Sequence, residues 1–277
     1  DDLVLAAASV LKAVLKQTKQ QTTVSESMVA MVNEVADDPL SEQIADKLLK
    51  TDNPIILTGL LAANHPQAAI IDALMRMIKQ LVNAKGGQLT DGANSAGAWL
   101  AGAVPHRGVA GERVKKGLNA AEMLQHDKIK AFLLLNTEPE LDSAYGMATM
   151  QALQAAECVV ALTPFIGKGL QQYADVMLPI AAFAETSGTY INALGHWQSF
   201  QGAVTPVGQA RPAWKVIRVL ANFMEIDGFD YLSTADILAE IEAHHQNSEF
   251  KPEVWKAPKA LPKPQRVSKR VALVPIY

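Results

Sequence analysis

Three loop segments of this 277-residue chain carry residue types that could bind a phosphate group. The first is glycine-rich and spans residues 91–117, the second is Asn136-Thr137-Glu138, and the third places Lys168 between two glycines. Glycines let backbone N–H groups approach phosphate oxygens closely, and a lysine adds positive charge. None of the three matches the fingerprints G-x-G-x-x-G or G-x-x-x-x-G-K-[ST]. We therefore interpret them as turn-forming loops, with phosphate binding as the alternative.

The residues that most often serve as nucleophiles, bases or metal ligands are scattered along the chain. Adjacent His244 and His245 point about 100° apart on a helix, so they do not form a chelating pair. Ser187 lies outside any G-x-S-x-G elbow. The remaining histidines stand alone in the sequence at His65, His106, His126 and His196. We predict no catalytic residue, no cofactor-binding residue and no metal ligand in this chain.

The single cysteine, Cys158, limits the redox chemistry of the chain. One thiol excludes an intramolecular disulfide, and an ordinary iron–sulfur cluster takes about four thiolates. Cys158 begins the apolar run Cys158-Val159-Val160-Ala161-Leu162, which is typical of a buried strand. We predict an inert core thiol, because a free cysteine usually behaves as a small hydrophobic residue.

These segments lie in a pattern of alternating strands and helices. Short apolar strands are predicted at 54–57, 88–90, 130–135, 158–162 and 175–178, and helices at about 64–85, 119–125, 146–156, 212–224 and 234–244. The first fifty residues indicate helix throughout. Short strands separated by helices favour a parallel sheet. The predicted fold is α/β, a mostly parallel Rossmann-like sheet flanked by helices, with a helical connector at 1–50, the α/β domain at 51–228 and a helix plus tail at 229–277.

The composition excludes several classes of protein. It is 49% hydrophobic and 19% charged, and no apolar run reaches the roughly 18 to 20 residues of a membrane span. Residues 251–270 hold seven Lys or Arg, one Glu and four Pro, a local charge of +6 against −3 for the whole chain. We interpret this segment as a basic connector lying over an acidic body, with a nucleic-acid or lipid tail as the alternative. No nucleic-acid partner and no direct membrane insertion are expected.

Both ends of the sequence resemble cut sites. The chain begins Asp1-Asp2 without Met or a signal-peptide pattern, and it ends in the apolar run at 271–277. We expect a fragment of a longer protein.

Residues 184–214 carry the most specific pattern. Gly188, Gly195, Gly202 and Gly208 divide them into short apolar pieces, which predicts a chain folded in tight turns. Upstream lies Ala174-Asp175-Val176-Met177-Leu178-Pro179. The order A-D-V-x-L-P, then E-x-x-G-T-x-x-N-x-x-G-x-x-Q, then A-R-P-x-W resembles the molybdopterin oxidoreductase superfamily. Its matching residues are Glu185, Gly188, Thr189, Asn192, Gly195, Gln198, Ala210, Arg211, Pro212 and Trp214.

Within that superfamily the pattern resembles most the large iron–sulfur subunits of bacterial NADH:quinone oxidoreductase, respiratory complex I. The usual E-G-R is Leu194-Gly195-His196 here, and the dinucleotide loop G-x-N-P holds Glu138 instead. Asn94 and Gly97 match the pterin-holding G-N-x-G only approximately. The resemblance implies a formate-dehydrogenase-type fold without catalytic residues.

The role that this resemblance implies is that of a scaffold. It would stand in the peripheral arm of an enzyme that passes electrons from NADH through FMN and iron–sulfur clusters to quinone. The full-length subunit would hold 2Fe-2S and 4Fe-4S clusters, contact other peripheral-arm subunits and lie at the cytoplasmic face of the bacterial inner membrane. The alternative is the cofactor-binding part of an active molybdenum or tungsten enzyme, such as a formate dehydrogenase or a nitrate reductase.

Overall fold

A computed structural model of the chain describes residues 3–18, 26–125, 128–143, 145–248 and 261. The described residues form two compact units that divide between Asp91 and Gly92. The domain boundaries predicted from the sequence, after residues 50 and 228, stay a prediction. His126, the run at 271–277 and the basic segment 251–270, apart from Leu261, lie outside the described residues.

The first unit is a helical layer on a two-stranded parallel sheet. Its elements are α1 (Leu3–Gln17), α2 (Glu26–Asn33), α3 (Pro39–Lys50), β1 (Ile55–Thr58), α4 (Leu60–Ala63), α5 (Ala68–Leu81) and β2 (Lys85–Gln88). Leu11 and Val14 of α1 and Leu74 of α5 are completely buried and share one core. Their spacing places them on one face of each helix, which packs that face on its neighbour.

Polar contacts fix the start of α3 and the interior of α1. Asp38 is the N-cap of α3 and accepts hydrogen bonds from the backbone N–H of Leu40 and Ser41 at 3.4 and 2.9 Å. Lys12, inside the apolar α1, donates to the carbonyl of Val35 and pairs with Asp37 at 2.8 Å. These contacts satisfy a charge that would otherwise be costly to bury.

The second unit is built on a three-stranded parallel sheet of order β3-β4-β5. Its elements begin with α6 (Ser95–Leu100), α7 (Ala120–Gln125), β3 (Ala131–Leu135), α8 (Pro139–Asp142), α9 (Gly146–Gln154), β4 (Cys158–Thr163) and β5 (Val176–Pro179). Leu134 and Val159 face a core that α9 closes with Leu153. The parallel α/β fold expected from the sequence is confirmed.

An antiparallel hairpin and two helices complete the second unit. The strands β6 (Gly188–Ile191) and β7 (Trp197–Phe200) pair with Thr189 opposite Ser199. The helices α10 (Ala213–Phe223) and α11 (Thr234–Asn247) follow, as expected. The tight turns predicted for residues 184–214 therefore include two short strands.

Three expectations need correction. Gly86 and Gly87 lie inside β2 and do not end α5, because Gly86 approaches the Ile56 carbonyl so closely that no Cβ would fit. The glycine-rich stretch is not only loop, since α6 lies within it. Cys158 is half-buried at the start of β4 and not a core thiol.

Candidate functional site

The carboxyl edge of the β3-β4-β5 sheet is the place where parallel α/β proteins bind ligands. There the chain leaves β3 through Asn136, whose φ of 49° is left-handed and whose N–H donates to the carbonyl of Leu162 at 2.8 Å. Asparagine tolerates this conformation better than most residues. It turns the following residues, 137–142, across the end of the sheet.

Asp142 closes the turn after β3. Its Oδ2 accepts hydrogen bonds from the Thr137 hydroxyl at 3.0 Å and from the Glu138 N–H at 2.8 Å. The Asp142 N–H in turn donates to the Glu138 carbonyl at 2.8 Å. Asp142 is therefore held in place by the turn that it closes.

Glu138 and Glu140 from this turn reach the loop that follows β4. A Cβ at Gly167 would collide with the Glu138 Oε1, and a Cβ at Gly169 would collide with the Glu140 Oε1. The two carboxylates thus lie against the two glycines that flank Lys168. The phosphate site considered for this lysine is lined by negative charge from the neighbouring turn.

Tyr173 anchors one of the two carboxylates. It is buried, and its hydroxyl donates to the Glu140 Oε2 at 2.5 Å. Burial, followed by this hydrogen bond and the negative charges of the acidic turn, raises the pKa of Tyr173 well above its usual range. The phenol therefore acts as a fixed hydrogen-bond donor to Glu140.

The residues that carry the sequence pattern in 184–214 bond to one another. The Asn192 side-chain oxygen accepts from the N–H groups of Leu194 and His196 at 2.9 and 3.0 Å. Its amide donates to Gln198 at 3.3 Å, and Gly195 supplies the positive φ of 81° that the turn needs. Asn192, Gly195 and Gln198 therefore shape the hairpin tip, where His196 is exposed.

The flanking pattern residues also have local partners. Glu185 accepts the Ala182 N–H at 2.9 Å and closes a short helical turn. Arg211 donates to the Ala210 carbonyl at 2.8 Å, while its own carbonyl accepts from Ala181 N–H. Asp175 accepts the Val159 N–H at 2.7 Å and fastens β5 to β4. These contacts are structural.

Other singled-out side chains have partners of the same kind. Asn94 accepts the Ile191 N–H at 2.8 Å, which joins the glycine-rich stretch to β6. The Ser187 and Thr234 hydroxyls lie 3.1 Å apart. The His245 and Trp197 rings have centroids 6.1 Å apart. Ser187 is therefore held as a hydroxyl pair and His245 against an aromatic ring.

A cavity of about 240 Å³ lies in the first unit, at the carboxyl ends of β1 and β2. Thr58, Gln88 and several alanines line it, and its charged member, Asp72, pairs with Arg76 at 2.8 Å. The His65 Nδ1 accepts the Gln67 N–H at 3.0 Å at the start of α5. His65 thus has a local partner in the turn that precedes α5.

In residues 3–18, 26–125, 128–143 and 145–248, no cluster of three or more His, Cys, Asp or Glu has a metal-holding arrangement. Across the same described parts of the chain, every helix is too short or too polar to cross a membrane.

Comparison with known proteins identifies the family. The molybdopterin oxidoreductase family matches residues 4–223, most of the chain. The chain belongs to this family, and the resemblance seen in the sequence is confirmed.

Relatives of the chain include nitrate reductases and subunits of NADH dehydrogenases. A nitrate reductase of Shewanella frigidimarina is 33% identical over 132 residues, covering 47% of this chain and 14% of the relative. The mitochondrial NADH-ubiquinone oxidoreductase 78 kDa subunit of Candida albicans is 40% identical over 74 residues, covering 26% and 10%. A subunit of the NADH-quinone oxidoreductase of Rickettsia typhi is 45% identical over 65 residues, covering 23% and 10%. The chain spans between 10% and 14% of the length of these relatives.

The carboxyl edge of the sheet fits a pterin dinucleotide poorly. The resemblance implies that the loop after β3 contacts the dinucleotide in those members of the family that bind the cofactor. Here Glu138 and Glu140 lie against the glycines of the next loop, and carboxylates repel phosphate groups. The sequence pattern indicates Glu138 and Lys168 as candidates, but it does not single out Glu140, Tyr173 or the role of the glycines. The run Gly167-Lys168-Gly169 after a predicted strand is the sequence feature that could have indicated this close packing.

Proposed function

We propose that this chain is a non-catalytic scaffold from the large peripheral-arm subunit of a proton-translocating NADH:quinone oxidoreductase. The observation that carries the proposal is the acidic turn packed on the glycines at the carboxyl edge of the sheet. Carboxylates that fill the edge of the sheet favour a structural role for this edge, because they would repel an anionic cofactor.

The similarity to relatives supports the same proposal. Identity reaches 45% and 40% in the stretches shared with the two NADH dehydrogenase subunits, against 33% in the longer stretch shared with the nitrate reductase. The replacement of E-G-R by Leu194-Gly195-His196 removes an acid and an arginine from the family pattern. Neither replacement side chain restores the lost charge pair.

In the intact enzyme, electrons from NADH would pass through FMN and iron–sulfur clusters to quinone. The 2Fe-2S and 4Fe-4S clusters of this subunit would be held by cysteines outside the present chain, which has one cysteine. The scaffold would pack against other peripheral-arm subunits at the cytoplasmic face of the bacterial inner membrane. It would contribute no catalytic residue and no metal ligand of its own.

The second candidate is the cofactor-binding part of an active molybdenum or tungsten oxidoreductase. The observation that favours it is the longer alignment with the nitrate reductase, 132 residues against 74 and 65. Such a protein would use the carboxyl edge of the sheet to hold the pterin dinucleotide.

Substitution of Arg211 in the intact enzyme distinguishes the two. Because Arg211 bonds to its neighbours Gly208 and Ala210, we expect R211A to lower the amount of assembled enzyme while turnover per assembled enzyme stays unchanged. K115A, a change at an exposed residue of the same unit, is the control. Full assembly with lost turnover in R211A would contradict the scaffold and favour the second candidate.

A further inference from the structure

Two half-buried carboxylates occupy space that side chains would fill at the end of the sheet. Glu138 lies where a Cβ of residue 167 would be, and Glu140 lies where a Cβ of residue 169 would be. Gly169 has φ −67° and ψ −51°, a conformation open to any residue. The backbone at position 169 therefore does not require glycine, whereas the approach of Glu140 does.

The position of Glu140 is fixed from a second direction. Its Oε2 accepts the Tyr173 hydroxyl at 2.5 Å, while its Oε1 faces Gly169. Tyr173 directly follows the short helical turn Leu170–Gln172, so the hydrogen bond joins the segment after the glycine loop to the turn after β3. Glu140 thus connects the turn after β3 with the loop after β4, as a ligand bound at the end of the sheet would do.

The acidic residues at the end of the sheet disfavour the binding of an external anion there. Glu138, Glu140 and Asp142 lie within five consecutive residues, and Lys168 is the positive residue between the two glycines. A carboxylate and a phosphate a few ångströms apart repel each other, and near a protein surface this repulsion is stronger than in bulk water. An incoming diphosphate would have to displace the carboxylates or lie beside them.

We propose that Glu138 and Glu140 are an internal occupant of the loop 167–169 and exclude diphosphate-bearing ligands from this edge of the sheet. This inference rests on the proposed scaffold function and gives it a physical cause. It predicts that the loop itself, with its two glycines and Lys168, keeps the capacity to bind a diphosphate once the carboxylates are removed.

The experiment is a calorimetric titration of the 277-residue chain with inorganic pyrophosphate at constant ionic strength, with sulfate as the control anion. We expect the wild-type chain to bind pyrophosphate no better than sulfate. In E138A/E140A we expect affinity for pyrophosphate to rise by about tenfold or more, because two repulsive charges and their volume are gone. Adding K168A to this variant should reverse the gain.

Two results would overturn the inference. The first is a folded E138A/E140A that binds pyrophosphate no more tightly than the wild-type chain. If E138A/E140A does not fold, E138Q/E140Q keeps the volume and removes the charge, and we expect it to gain several-fold in affinity. A folded E138Q/E140Q with wild-type affinity would then be the second.

A negative result of this titration can be distinguished from a failure of the proposed scaffold function. Absence of any gain in the variants would remove the internal-occupant role and leave the scaffold assignment standing. Molybdenum or tungsten with pterin in the native enzyme would remove the scaffold assignment, whatever the isolated variants bind.

Discussion

The Asn94 side-chain oxygen accepts a hydrogen bond from the Ile191 backbone N–H at 2.8 Å, across 97 residues of sequence. Ile191 is buried and ends β6, so this bond satisfies a strand donor that water does not readily reach. Asn94 and Gly97 are the two residues that match the pterin-holding G-N-x-G approximately. In this chain Asn94 connects the glycine-rich stretch to the hairpin.

Loss of this side chain should destabilise the second unit. We expect N94A to lower the free energy of unfolding by about 1 to 3 kcal/mol, the usual cost of leaving a buried donor unpaired. Urea denaturation followed by tryptophan fluorescence measures the change. Stability equal to that of wild type would show that the bond contributes nothing.

Gly97 should respond to substitution with opposite signs in two backgrounds. A Cβ at this position would collide with the Asn94 side chain, so we expect G97A to destabilise the wild-type chain. In the N94A background the collision is absent, and alanine in α6 should stabilise by up to about 1 kcal/mol relative to glycine. The two pairs of unfolding curves form a double-mutant cycle. Equal effects of G97A in both backgrounds would contradict the contact.

Gly169 offers a direct test of the packing at the sheet edge. We expect G169A to lower stability by about 1 kcal/mol, because the new methyl group displaces the Glu140 carboxylate from its hydrogen bond with Tyr173. G87A is the matched control, since a Cβ there would meet no atom within 4 Å. Thermal unfolding compares the two variants. A G169A chain no less stable than G87A would show that the carboxylate does not hold this position.

Tyr173 should make the fold sensitive to alkaline pH. Its pKa is raised in the folded chain, chiefly by burial, so the stability it contributes is complete below about pH 10, where the unfolded tyrosine titrates. That contribution is lost as the pH rises beyond about 10. We expect Y173F to lose less stability than wild type between about pH 9 and pH 11 in urea unfolding. Y145F, at a residue 49% exposed, should follow the wild-type curve. Parallel curves for Y173F and wild type would contradict this.

Asp37 should make the first unit sensitive to acid. Hydrogen bonds from Lys12 and then Lys16 lower the pKa of Asp37 to about 2. Its contribution is therefore present above about pH 4, the unfolded value, and is lost as the pH falls towards 2. D37N should be less stable than wild type at pH 7 and equal to it near pH 2, by thermal unfolding. D46N, which removes an exposed pair on α3, is the control. A D37N deficit that persists at pH 2 would point to another cause.

The sequence could predict elements that depend on local patterns. The helices predicted in the first fifty residues and at 119–125 follow from the spacing of apolar residues. At the start of α7, Asn119 and Glu122 each accept the other's backbone N–H, at 2.9 and 2.8 Å respectively. The strand at Lys85–Gln88 was displaced in the prediction, because two glycines normally end a helix and here they allow a close approach to β1.

The candidate site depended on contacts that no local pattern encodes. Glu140 meets Tyr173 across 33 residues, and Asn94 meets Ile191 across 97. Each pairing depends on how the strands and loops are arranged in the folded chain. The spacing of residues along the sequence does not indicate it. Lys12 likewise interrupts an apolar run in the sequence, and only the fold reveals that Asp37 and the Val35 carbonyl satisfy it.

The most direct test of the scaffold assignment is metal and pterin analysis of the full-length protein, isolated with its native partners. We predict iron without stoichiometric molybdenum, tungsten or pterin, because the clusters would lie elsewhere in the subunit and the sheet edge is filled by Glu138 and Glu140. Stoichiometric molybdenum or tungsten together with pterin would contradict this account and identify a working cofactor domain.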